Sequence, residues 1–89
     1  MSFADKETER FWLTGRSRRF QGVAKQAYRK LQMLHAAAKL DDLRIPPANR
    51  LEALSGNRKG QYSIRINRQW RICFNWQDGA ENVEIVDYH

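Results

Sequence analysis

Apolar residues recur along the chain with two different periods. Val23, Ala27, Leu31, Leu34 and Ala38 are spaced by four, four, three and four. That spacing lines one face of a 3.6-residue period and predicts a helix over about 23–38. Lys25, Arg29 and Lys30 fall on its other face, and His35 sits beside the stripe as a boundary or core histidine. From Gln61 the period drops to two. Tyr62, Ile64 and Ile66 alternate with Ser63, Arg65 and Asn67, and Trp70, Ile72, Phe74 and Trp76 alternate with Arg71, Cys73 and Asn75. Val83, Ile85 and Asp87 then alternate with Glu84, Val86 and Tyr88. These are strands with one buried face. The run 67–69 between the first two reads as a tight hairpin turn, and Asp78-Gly79 as a second.

Ahead of the long helix, Asp5 can cap a helix through about Leu13, with Phe11 and Trp12 turned inward and Gly15 as its stop. Residues 2–4 allow only a brief edge strand. After the long helix, Pro46 and Pro47 exclude regular helix from the connector over 41–49. Leu40, Leu43 and Ile45 are expected to pin that connector to the body. Leu51 to Leu54 reads as a short strand and Ser55-Gly56-Asn57 as a turn. The predicted order is helix, helix, then a three- or four-stranded meander. This is a single α+β domain over 1–89, with two N-terminal helices covering one face of a small antiparallel sheet. The opposite face would carry Arg65, Arg71 and Ser63, with Cys73 and Val86 as apolar interruptions.

Charge adds a candidate partner. Sixteen Lys and Arg stand against ten Asp and Glu, a net charge of +6, and eleven of the basic residues are arginine. The planar arginine fork suits phosphate better than a lysine point charge, so polyanions come first, ahead of a merely solvated basic surface, an acidic protein or a membrane. Within 50–71, Arg50, Arg58, Lys59, Arg65, Arg68 and Arg71 face Glu52 alone, whereas 72–89 holds four acids and no Lys or Arg. Arg50, Arg58, Lys59, Arg65 and Arg68 are the candidate RNA-binding residues. The single cysteine, Cys73, excludes an internal disulfide and reads as a small core hydrophobe. No secretory segment opens the chain and no run approaches membrane-spanning length, so a cytoplasmic protein is the default.

Several chemistries lack their residues. There is no Gly-rich phosphate loop and no Cys/His cluster at metal-ligand spacing, so no metal or other cofactor is expected. Nothing places Ser55 on a nucleophile elbow, although Asp87 and His89 could complete a triad. RNA cleavage without metal needs a base for the 2′-hydroxyl, a cation for the developing phosphorane and an acid for the leaving 5′-oxygen. Arg71 is the candidate cation. Tyr88 and His89 can donate or accept protons, and histidine ordinarily titrates near neutrality. The bland alternative for His89 is a frayed terminal residue.

The run from Arg50 to Phe74, with Gly-Gln-Tyr-Ser-Ile at 60–64 and Trp-Arg-Ile at 70–72, is joined by Val-Glu-Ile-Val-Asp-Tyr-His at 83–89. In these residues, and across essentially its whole length, the chain resembles the HigB-like branch of the RelE/ParE toxins, the plasmid maintenance system killer proteins. The resemblance implies a RelE-like compact fold and a ribosome-dependent endoribonuclease that cuts translated messenger RNA and arrests growth. It implies products ending in a 2′,3′-cyclic phosphate or 3′-phosphate, and no metal cofactor. It implies a HigA-like helix-turn-helix antitoxin as partner, the operator DNA being bound only through that complex. Arg71 matches the family's arginine after tryptophan, expected at the scissile phosphate. Asp87, Tyr88 and His89 match its terminal Asp-Tyr-His, expected to orient substrate and carry protons. Ser55 stands where the family often has lysine, and Asn57 where an acid follows. Arg58 or Lys59 could supply the lost charge. The family's hairpin arginine has no firm match, since Asn67 falls at its place. Two alternatives remain: a ParE-like gyrase inhibitor, against which the Trp-Arg-Ile and Asp-Tyr-His blocks argue, and a non-catalytic RNA- or ribosome-binding module.

Overall fold

The structure, a computed structural model, describes residues 1–88. Helix α1 spans Lys6–Thr14 and α2 spans Ala24–Ala36. The strands are β1 Glu52–Ala53, β2 Tyr62–Arg65, β3 Trp70–Trp76 and β4 Ala80–Asp87. They form one antiparallel sheet in the order β1-β2-β3-β4. The expected α+β arrangement, with N-terminal helices packed on a small antiparallel sheet, is the one observed.

Local chemistry sets the ends of α1. The Asp5 carboxylate accepts a hydrogen bond from the Thr8 N–H at 3.4 Å, and Gly15 closes the helix at φ 73°, where a Cβ would be strained. A 3-10 turn at Gln21–Val23 leads into α2. The helix ends at Ala36, two residues short of the predicted stripe, because Ala37 is extended and Asp42 accepts from the N–H groups of Ala38 and Lys39. Phe11, Phe20, Ala27, Leu31 and Leu34 from the helical side meet Ile64, Ile72, Phe74, Val83 and Ile85 from the sheet in one buried core. Phe11 lies at its centre, edge-on to Phe20 and Tyr28 at centroid distances of 5.4 and 5.6 Å. His35 is exposed and rests against Trp12, so it is a boundary residue.

Two side chains depart from their expected places. Ile45 is 75% exposed rather than pinned. The connector is held by Leu43 and by the fully buried Asn49, whose amide donates to the Leu43 carbonyl and whose oxygen accepts from Lys30. Lys30 is accordingly half-buried against the connector instead of lying on the solvent face of α2, and burial lowers its pKa.

The far edge of the sheet is closed from the N-terminus. Val83 N–H donates to Ser2 O and Ala4 N–H to Val83 O, so residues 2–4 form a bridge on β4. Further along the same edge, the Ile85 N–H donates to the buried Thr8 hydroxyl at 3.2 Å. Covering an edge in this way removes a template for strand pairing with another chain. Thr8→Val keeps the shape but leaves that buried N–H unpaired. We expect it to lower unfolding stability by about 1–3 kcal/mol, as measured by urea titration. An unchanged midpoint would mean that the hydroxyl contributes nothing at this edge.

Candidate active site

Strand pairing defines the sheet face that the helices leave uncovered. Ser63 pairs with Cys73 and Cys73 with Glu84, while Arg65 pairs with Arg71 and Arg71 with Val86. Because side chains alternate along a strand, these residues share the face opposite the core. A register shift between Cys73 and Asn75, with Asn82 at φ 51°, adds one residue to β4. This bulge turns Val83 and Ile85 to the core and Glu84, Val86 and Tyr88 to the open face.

Arg65 and Arg71 stand directly opposite one another, a repulsive pairing in a sheet. Each guanidinium is drawn away from the other. Arg65 Nε donates to the Asn67 carbonyl at 3.0 Å, towards the hairpin turn. Arg71 Nε donates to Ser63 Oγ at 2.8 Å, and its Nη2 donates to the Arg50 carbonyl at 2.8 Å and the Ser63 carbonyl at 3.5 Å. Arg71 is only 8% exposed. These three bonds use Nε and Nη2 and leave Nη1 outside the set. The Arg50 carbonyl is aimed inward because Arg50 adopts φ 47° at the end of the 3-10 turn Pro47–Asn49. The oxygens that fix this guanidinium are neutral, so these contacts offer it no counterion and an anionic group could be met at this face.

The Tyr88 ring lies over Arg71, with its centroid 5.8 Å from the guanidinium carbon, and the residue is 44% exposed. Such a stack holds the arginine plane by cation–π attraction while leaving the phenol to solvent. On the other flank, Arg58 Nη1 pairs with Glu84 at 3.3 Å and donates to Gln61 at 3.0 Å. Gln61 continues through Asn75 to Asn82, both amides donating to Asn75 Oδ1. Among the described residues, the half-buried Arg58–Glu84 ion pair joins the basic segment 50–71 to the acidic last strand. Cys73 lies beneath it, fully buried. Burial raises its thiol pKa, opposed by Arg58 and Arg71 and reinforced by Glu84.

A family profile described as "RelE-like toxin of type II toxin-antitoxin system HigB" matches residues 1–89. The chain belongs to this HigB-like toxin family. It is 42% identical over 91 residues to "Toxin HigB-1" of Vibrio cholerae serotype O1, covering all of this chain and 96% of that protein. It is also 36% identical over 89 residues to an uncharacterized protein of Haemophilus influenzae, covering 98% and 88% of the two chains. Among solved structures it is similar to a chain of the YoeB-YefM complex from Staphylococcus aureus. That match has a TM-score of 0.59 at 22% identity, over 99% of this chain and 93% of the other, and it supports the RelE-like fold. As a toxin of a type II system, the protein has a cognate antitoxin as partner.

Not all of the expected toxin residues share one place. Arg71 and Tyr88 lie together on the open face. Asp87 pairs with Trp70 on the side of the core and accepts from Gln69 Nε2 at 3.0 Å. His89 lies outside the described residues. Among the candidate RNA-binding residues, Arg65 and the ion-paired Arg58 are on the open face. Arg50 serves the site through its carbonyl, and Lys59 and Arg68 are exposed on the two loops. Ser55 is exposed at the start of the 3-10 turn that carries Arg58. Sequence reasoning missed the anchoring role of the Ser63 hydroxyl and the Glu84 partnership. Both residues alternate onto the polar face, which was the available signal.

The burial of Cys73 makes a simple prediction. Iodoacetamide should leave the native toxin unmodified at neutral pH and label it once it is unfolded in guanidinium, as read by intact mass. Fast labelling of the native toxin would contradict the burial of Cys73 beneath the Arg58–Glu84 pair.

Proposed function

We propose that this toxin is a ribosome-dependent endoribonuclease that cuts translated messenger RNA by 2′-hydroxyl attack, without a metal cofactor, and so halts translation and growth. The observation that carries this reading is the Arg71 guanidinium, held on the open face by Ser63 and the Arg50 carbonyl, in a chain of this family. Its fixed donors suit the charge that builds on the non-bridging oxygens as the 2′-oxygen adds to phosphorus. The attack closes a 2′,3′-cyclic phosphate and expels the 5′-oxygen, which takes a proton.

Tyr88 is the described residue best placed to exchange a proton or stack on a base beside Arg71. His89 is proposed as the second proton carrier. Asp87 acts from the other side of the strand, by fixing its end through Gln69. Arg65, Arg68, Arg50 and Lys59 are proposed to hold the RNA backbone. Arg58 replaces the charge missing at Ser55, but its bond to Glu84 offsets part of that charge, which favours a slow enzyme. The proposed antitoxin is HigA-like, with a helix-turn-helix domain, and operator DNA is bound through the complex.

Primer extension on messenger RNA from a translating extract tests the reading. Wild-type protein should produce cuts within translated codons. A folded protein that binds ribosomes without cutting would be a binding module, and gyrase-dependent DNA damage without RNA cuts would make it a gyrase inhibitor.

A further inference from the structure

Among the described residues the buried polar side chains are Thr8, Asn49, Ser63 and Arg71. Thr8 closes the sheet edge, and Ser63 and Arg71 belong to the open face. Asn49 lies in the connector, one peptide bond before the residue whose carbonyl holds Arg71. Burying an amide is costly unless its polar atoms are bonded, so its place calls for a reason.

The Asn49 side chain joins α2 to the connector. Its Oδ1 accepts from Lys30 Nζ, and its Nδ2 donates to the Leu43 carbonyl and to Met33 Sδ, each at 3.1 Å. Lys30 and Met33 are three residues apart on α2 and share one helix face. The main chain is tied as well. Asn49 N–H donates to the Pro46 carbonyl at 2.9 Å, and Arg50 N–H to the Pro47 carbonyl at 3.0 Å. An apolar side chain would pin the connector by burial alone, as Leu43 does. An amide with both hydrogens and its oxygen engaged also fixes direction.

Direction matters at the next residue. Arg50 sits at φ 47° and ψ 57°, a left-handed conformation that residues with a Cβ rarely adopt. In that conformation its carbonyl meets Arg71 Nη2 at 2.8 Å. Freed from its anchor, Arg50 would relax towards negative φ and turn the carbonyl away. Arg71 would keep its charge and its bond to Ser63 Oγ but lose the second close oxygen that orients its plane.

We infer that Lys30 and Asn49 are positioning residues for the reaction, which fix the Arg71 guanidinium through the Arg50 carbonyl. The inference rests on the endoribonuclease reading for the reaction that Arg71 serves. Lys30 acts from the helix layer, which packs against the core side of the sheet, on a guanidinium that lies on the open face.

The test uses the full-length toxin labelled with nitrogen-15. Lys30 is only half-buried, so Lys30→Met should fold, keeping the apolar stem and removing the donor to Asn49. The Arg71 Nε–H resonance, identified by its loss in Arg71→Ala, reports the guanidinium directly. In Lys30→Met it should shift and exchange faster with water. Single-turnover cleavage at saturating ribosomes should slow about tenfold, since a misplacement of about 1 Å can cost about 10²-fold. In the Arg71→Ala background the same substitution should cost nothing further. An unmoved Nε–H resonance with an unchanged rate would overturn the inference. So would an equal loss of rate with and without Arg71, which would assign Lys30 to folding alone. A resonance that moves in Lys30→Met, in a toxin whose wild type cuts nothing, would sink the endoribonuclease reading and leave the link from Lys30 through Asn49 to Arg71 standing.

Discussion

Arg71→Ala should lower messenger RNA cleavage by about 10²–10³-fold, the usual cost of removing a preorganised donor to transition-state charge. Ribosome binding should persist, because the exposed arginines elsewhere are untouched. The loss has two sources that can be separated. Alanine removes the cation proposed to face the phosphorane, and it also leaves Ser63 Oγ and the Arg50 carbonyl without their donor. Those oxygens can be reached by water once the side chain is gone, so the stability cost should stay within about 1–3 kcal/mol. Arg71→Lys retains the charge but not the fork that reaches both oxygens, and it should recover only part of the rate. Single-turnover cleavage on programmed ribosomes, alongside a urea titration of each variant, distinguishes the two effects. Full activity in a folded Arg71→Ala protein would remove Arg71 from the site.

The largest expected effect on stability is at Phe11. Its ring is fully buried between Phe20, Tyr28 and the sheet. Phe11→Ala removes most of that volume, and the ring contacts to Phe20 and Tyr28 go with it. Core Phe→Ala changes cost about 3–5 kcal/mol. A chain of 89 residues buries a modest share of its surface, so this is a large part of its total stability. The variant should be partly unfolded at 37 °C, with a urea midpoint far below that of the wild type. Leu13, a short step along α1, is 73% exposed, and Leu13→Ala should leave the midpoint nearly unchanged. A small effect at Phe11 would contradict a core centred on α1.

The features that were legible in the sequence are those set by local chemistry and by period. Asp5 and Gly15 delimit α1 because a carboxylate cap and a left-handed glycine act within one turn. The alternation from Tyr62 onward gave the meander and its two faces, and Asn67 forms the expected turn by accepting from the Gln69 and Trp70 N–H groups. What was not legible depended on contacts distant in sequence. Nothing near Lys30 announces that Asn49 will bury its ammonium group, and nothing near Ile45 shows that Asn49 takes over its pinning role. The terminal Asp-Tyr-His illustrates a different limit. Its resemblance to a family motif treats the three as a unit, whereas strand alternation already separates Asp87 from Tyr88. The bulge at Asn82 then decides which of them meets Arg71, since a one-residue slip would exchange the faces. Arg71 could be singled out in the sequence as the candidate cation, but not the Ser63 and Arg50 oxygens that hold it, because those bonds depend on the strand register and on the inward turn at Arg50.

The way the RNA bond breaks is recorded in the ends of the cut strands. Messenger RNA fragments from purified programmed ribosomes would be assayed for phosphorylation by polynucleotide kinase at the 5′ end and for phosphate at the 3′ end. Cleavage by 2′-hydroxyl attack on the ribosome predicts a 5′-hydroxyl and a 2′,3′-cyclic phosphate or 3′-phosphate, with cuts inside translated codons and none in the same RNA without ribosomes. Fragments with a 5′-phosphate and a 3′-hydroxyl, or equal cutting of free RNA, would contradict it.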